Sequence, residues 1–123
     1  MPRNQYKSHP RSRIIKKAFE NGKIVAAICA APVVVLAKTG VLSGKKYTCY
    51  PGMNEELQTY CGSAFPKAVE GSEYVSHVPF VKDGNVLTSF GPGGAEQFAV
   101  EFVSMLCGKQ EADLLKQRIV ARQ

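Results

Sequence analysis

The stretch Lys23-Ile24-Val25-Ala26-Ala27-Ile28-Cys29-Ala30-Ala31-Pro32 decides how this chain is read. Its part up to Ile28 is short, almost continuously apolar and rich in β-branched residues. That is the pattern of a strand buried on both faces of a parallel sheet, with helices covering both sides. Pro32 pre-sets a first helical turn, Val33 to Lys38 continue it with apolar neighbours, and Thr39-Gly40 stops it. Strand, tight turn and helix make half of a βαβ unit, and Cys29 stands in the turn. There the unpaired N–H groups and the macrodipole of the helix favour a thiolate and should lower the cysteine's pKa. Such a turn is sharp, and the small Ala30-Ala31 pair lets it clear the neighbouring strands. The local pattern also suits a small buried hydrophobe, since free cysteine is among the most buried residue types; on these residues alone both readings stand.

Working outward, Ser12 to Asn21 carries Ile14, Ile15, Ala18 and Phe19 at helical spacing, closed by Asn21-Gly22 in the manner of a C-cap. Downstream, Lys45 to Tyr50 alternates and stops at Pro51, which removes a ladder donor, so a strand is expected there. Asn54 to Tyr60 suits a short helix. Val78 to Lys82 and Asn85 to Ser89 flank Asp83-Gly84, a two-residue hairpin signal and an antiparallel excursion of the sheet. Gly91-Pro92-Gly93-Gly94 lacks the Lys-Ser/Thr ending of a phosphate-binding loop and reads as a turn into a helix. In that helix Phe98, Phe102, Met105 and Leu106 repeat at helical spacing up to Gly108, and a last polar surface helix is expected over Glu111 to Val120.

Composition bounds the function classes. A chain of 123 residues, 45% hydrophobic, is sized for one domain over residues 1–123, with one core. The apolar stretch from Ile24 to Ala37 is interrupted by Cys29 and Pro32 and falls short of the roughly 18 residues a membrane helix needs, so a soluble protein without a membrane partner is expected. The formal charge of +6 resides in residues 1–23, where seven cations face the single anion Glu20. Such a segment reads as a solvated helix face preceded by a basic, flexible arm over residues 1–11, not as a nucleic-acid-binding arm. Cys29, Cys49, Cys61 and Cys107 form no C-x-x-C pair, and with His9 and His77 they show no ligand spacing, so neither a metal nor another cofactor is expected. Reduced thiols in a cytoplasmic compartment follow, with organellar import as the alternative suggested by the Arg-rich, acid-poor start. His77, ahead of a strand, reads as a structural histidine.

Ala26-Ala27-Ile28-Cys29-Ala30-Ala31-Pro32 closely resembles the nucleophile-elbow segment of the ThiJ/PfpI superfamily, in the branch of Parkinson disease protein seven and its bacterial relatives. The likeness continues through Thr48-Cys49-Tyr50-Pro51, the hairpin Val81 to Ser89, and Gly91-Pro92-Gly93 with the helix after it. The resemblance implies an α/β, flavodoxin-like three-layer sandwich with a mostly parallel sheet, usually dimeric. It implies roles in oxidative stress and a glyoxalase or protein-deglycase activity on α-oxoaldehydes or glycated groups, with a small aldehyde as substrate. Cys29 matches the family's nucleophile, and the Ala30 N–H matches its oxyanion donor. The same thiolate, oxidised to sulfinate, would serve a redox sensor or chaperone-like stress protein without enzymatic activity.

Two departures from the family pattern shape the expectation. The acid that hydrogen-bonds the cysteine and a glycine pair giving a second N–H belong to an N-terminal half with no counterpart in these residues. Met1-Pro2 resembles the residues on the C-terminal side of that glycine pair. The chain is therefore expected to lack the first strands of the fold, and to be an inactive truncated member or to act with the missing half supplied. A sheet so exposed should recruit a second copy or a complementing chain. Tyr50, in turn, stands where some members place a histidine before the proline, and Cys49 is expected near Cys29 as a packed or secondary redox thiol.

Overall fold

The computed structural model describes residues 10–122. The basic arm over residues 1–11 lies outside them save for Pro10 and Arg11, and His9 lies outside them altogether. Helix α1, Pro10–Glu20, ends in a Schellman arrangement. Gly22, at φ +76, donates to the Phe19 carbonyl, and Lys23 N–H reaches back to that of Ala18. The left-handed residue at this cap is the reason Gly22 stands there. Strand β1, Val25–Ile28, follows at once and leads into a π-helical turn, Pro32–Leu36, and a 3-10 turn, Ala37–Thr39. The Thr39 hydroxyl donates to the Leu36 carbonyl at 2.6 Å and Gly40 takes φ +88, so Thr39-Gly40 ends the segment as its residue types foretell.

Next come β2, Lys46–Tyr47, a 3-10 turn, Met53–Glu56, and helix α2, Leu57–Cys61. The expected strand over Lys45 to Tyr50 shrinks to two ladder residues because Thr48 N–H turns aside to the Thr88 hydroxyl, 2.9 Å away. After β3, Glu73–Tyr74, come β4, Phe80–Asp83, and β5, Val86–Ser89. Helices α3, Ala95–Cys107, and α4, Lys109–Arg122, complete the order. The hairpin turn is Gly84-Asn85, one position later than the sequence suggested. Gly84 alone supplies the positive φ, +62, while Asp83 stays in the ladder opposite Val86. Its carboxylate accepts from Lys46 N–H at 2.8 Å, which ties β2 to the hairpin.

The main sheet runs β1-β5-β4, with β1 parallel to β5 in the register Val25↔Val86 to Ile28↔Ser89, and β4 antiparallel to β5. The pair β2-β3 is also parallel. Alternation along the strands turns Val25, Ala27 and Val86 to one side, where they join Val33, Leu36, Val41, Leu42 and Tyr47 in the core. Leu87 turns to the opposite side, where α3 packs on β5 and α4 packs on α3. Helices therefore lie on both faces of an α/β sheet, the flavodoxin-like arrangement expected.

One expectation fails. All of β5 is buried, but β1 alternates, with Val25 and Ala27 buried and Ala26 exposed. It is thus covered on one face only, and among the described residues no strand pairs with its other edge. Helix α3, apolar on average, has no fully buried residue. The layer over Ala26 is incomplete.

Candidate active site at the Cys29 turn

At the C-terminal end of β1 the chain reverses through Cys29, at φ +66. A non-glycine residue in this region costs on the order of 1–3 kcal/mol and persists where its surroundings over-determine it. The surroundings are visible. Cys29 N–H donates to the Ser89 carbonyl at 3.0 Å, extending the β1-β5 ladder into the turn. The Cys29 carbonyl accepts from Tyr50 N–H at 2.7 Å. Beyond the turn, the Ala30 carbonyl accepts from both Val33 and Val34, at 3.0 and 2.9 Å, which starts the helical segment. Hydrogen bonds on either side thus hold the residue in this turn.

The clamp leaves the thiol partly accessible and next to small neighbours. A Cβ placed on Gly91 would stand 3.9 Å from Cys29 Sγ and 3.9 Å from the Tyr50 ring, so thiol, ring and glycine meet at one spot. Gly91 is itself buried and at φ +151, a backbone state other residues rarely adopt. Among the described residues the Ala30 N–H has no hydrogen-bond acceptor and heads the turn beside the sulfur's own residue. In general, a cysteine sulfur beside an N–H that lacks an acceptor can add to a carbonyl carbon and have the resulting oxyanion held.

The other cysteines differ in their environments. Cys49, fully buried in the residue before Tyr50, lies on the segment that touches the turn, as expected. Burial pushes its thiol up to about 11, against a smaller opposing effect from the Asn54 N–H. Burial likewise raises Cys61. Cys107 is exposed on α3, and all four are free thiols. His77 is exposed, at φ +61, with Nδ1 3.0 Å from the Ser76 hydroxyl. The structure places Cys29 and Ala30, the residues singled out from the sequence, in this turn, and brings Gly91 beside the sulfur, a neighbour the sequence did not indicate. The glycine run there explained a turn, and only the β1-β5 register brings it alongside the cysteine.

A sharp strand-to-helix turn presenting a cysteine in left-handed conformation, on an α/β sheet, defines the class of nucleophile-elbow proteins. Within that class the chain belongs to the DJ-1/PfpI family, which it matches over residues 2–105. It is 42% identical over 98 residues to protein dj-1beta of Drosophila melanogaster, covering 80% of this chain and 46% of that one. The crystal structure of the fly protein superimposes with a TM-score of 0.71 at 37% identity, over 89% of this chain and 52% of the other. A deglycase of Pyrococcus abyssi is 34% identical over 93 residues, covering 76% of this chain and 49% of its own. DJ-1 of Toxoplasma gondii, solved in an oxidized form, has a TM-score of 0.67 at 28% identity, over 89% of this chain and 52% of that one. The chain thus spans about half the length of each of these relatives.

Proposed function

We propose that Cys29 is the nucleophile of a glyoxalase- or deglycase-type reaction on α-oxoaldehydes or glycated groups, within a protein that answers oxidative stress. The observation that carries this reading is the left-handed Cys29 at the strand–helix junction, beside an Ala30 N–H that has no acceptor among the described residues. The sulfur lone pair attacks the aldehyde carbon, an S–C bond forms, and the carbonyl π pair moves to oxygen, where the Ala30 N–H stabilises it until a proton arrives. Transfer of the aldehyde hydrogen, as a proton, to the neighbouring carbon and hydrolysis of the thioester then release lactate from methylglyoxal and return the thiol. The resemblance assigns the proton carrier for that step to a carboxylic acid on an N-terminal half that has no counterpart in these residues. The name borne by the Pyrococcus relative supports the reaction class. Lactate released from methylglyoxal without added thiol, and lost in Cys29→Ser, is the expected result; equal release by the two proteins would overturn it.

A second reading rests on a different observation. Cys29 is partly exposed, whereas Cys49 and Cys61 are buried with raised thiols. Peroxide then has an accessible target in a held geometry, and oxidation to sulfinate would make Cys29 a sensor without turnover. The oxidized form of the Toxoplasma relative is consistent with such chemistry. Peptide mass spectrometry after graded peroxide should find Cys29 modified ahead of the buried Cys49 and Cys61, and ahead of Cys107, which is exposed on α3 but stands in no such turn; equal modification of all four would sink this reading.

A further inference from the structure

The helical turns that follow Cys29 end, at Thr39-Gly40, beside a concavity at the opposite end of that segment. It is broadly open to solvent, spans about 450 Å³, and is lined by three lysines from three separate elements. Lys16 comes from α1, Lys38 from the 3-10 turn, and Lys67 from the turn Lys67–Val69. Among the described residues no Asp or Glu lines it. The ion pairs Lys45–Asp83 and Lys82–Glu101 leave these three lysines out. Lys16 is exposed and lies along the depression, with Nζ 4.0 Å from where a Cβ on Gly40 would stand.

The remaining lining narrows the ligand. The Thr39 hydroxyl is committed to Leu36 and Val41, and that of Ser43 donates to the Glu70 carbonyl at 3.0 Å. The Ser63 hydroxyl has no partner among the described residues and remains a donor to the cavity. Phe65 supplies an apolar wall. Three lysines around one depression with no carboxylate in its lining gather positive charge there, and that charge favours an anion in their midst. A volume of this size suits a small organic ligand. Lysine binds phosphate as a point charge from several directions, without the planar fork arginine needs.

We propose that this concavity binds a phosphate-bearing small molecule, its phosphate held by Lys16, Lys38 and Lys67 and its organic part against Phe65. The site is independent of the chemistry at Cys29, and the shared feature recognised, a phosphate monoester, occurs both in free metabolites and in lipid headgroups.

The test is calorimetric titration of the full chain with phenyl phosphate at low salt. Saturable one-to-one binding is expected, weakened roughly tenfold in Lys38→Gln and in Lys67→Gln, while Lys38→Arg retains it. Lys23→Gln and Lys46→Gln, outside the concavity, should change the affinity by less than about twofold. All five lysine variants replace exposed side chains, and circular dichroism confirms their fold. Vesicles containing a phosphatidylinositol phosphate form a second arm: binding there that is lost in Lys38→Gln, with none to phenyl phosphate, assigns the phosphate to a lipid headgroup. Unchanged binding of both probes by Lys38→Gln and Lys67→Gln, or an equal loss in Lys23→Gln, overturns the site. Retention of binding in Cys29→Ser is expected, since the two ends of the segment act separately.

Discussion

Tyr50 N–H donates to the Cys29 carbonyl oxygen across 2.7 Å, so the turn that presents the sulfur is fastened to a segment that stands 21 positions downstream. The side chain of Tyr50 is exposed and takes no part in the bond. This separates what residue 50 does through its main chain from what it does through its ring.

Tyr50→Pro, which deletes the donor, should therefore loosen the turn and lower stability by about 1–3 kcal/mol, the usual cost of an orphaned carbonyl in a packed site. Tyr50→Phe should stay within about 0.5 kcal/mol of the parent. Urea denaturation of the two variants measures the difference.

Around the helix entry, two adjacent glycines should respond differently to the same change. A Cβ on Gly94 would collide with the Pro79 carbonyl oxygen, main chain that cannot easily move. On Gly93 it would meet the tip of the Phe90 ring at 2.9 Å, which can swing away. Gly94→Ala should cost at least about 2–3 kcal/mol, as overpacking against backbone does, and Gly93→Ala less than about 1.5 kcal/mol. Thermal unfolding of both checks the order.

Alkaline pH should destabilise the fold through its buried thiol. Cys49 has an ordinary value of 9.0 and is raised to about 11, chiefly by burial, so the folded state prefers the protonated form. The unfolded chain releases that proton first as pH climbs. Stability from this group is thus complete below about pH 9 and is lost progressively up to about pH 11. Tyr47 and Cys61, also raised by burial, act in the same direction. Cys49→Ala should flatten the decline between those values in denaturation midpoints recorded against pH.

The half-covered β1 should also show in solution. Ala26 is exposed, the second edge of β1 is unpaired among the described residues, and apolar α3 has no fully buried residue. Association with a second copy or a complementing chain covers that surface. Light scattering should report a species larger than 13.4 kDa; a stable, monodisperse monomer would contradict the expectation.

Much of this was legible because the informative signals are local. The run Val25 to Ile28 declares a strand, Ala30-Ala31-Pro32 a tight entry to a helix, and Asn21-Gly22 a helix end, each through side-chain volume or backbone freedom within a few residues. Strand β3 was not legible: Glu73–Tyr74 is too short to show alternation and exists because Tyr47 offers it a partner from afar. The turn slipped from Asp83-Gly84 to Gly84-Asn85 for a similar reason. Either dipeptide satisfies turn chemistry, and the choice is made by Lys45 and Lys46, whose contacts hold Asp83 in the ladder. Burial of β1 on both faces was read from its composition, which anticipates a layer that the described residues do not supply. At the site, Cys29 was found from its neighbours in sequence, while Gly91 needed the sheet register.

The bond from Cys29 N–H to the Ser89 carbonyl also sets a clock on synthesis. Its partners stand 60 positions apart, so at roughly 5–20 residues per second the ribosome delivers Ser89 some 3–12 s after Cys29. Through that interval the cysteine rides on an unfinished chain without the β5 partner that shapes its turn. Any selectivity it shows toward an aldehyde or a peroxide is acquired only after Ser89 has been made, and a nascent chain stalled before Ser89 carries the thiol without the β5 side of its clamp.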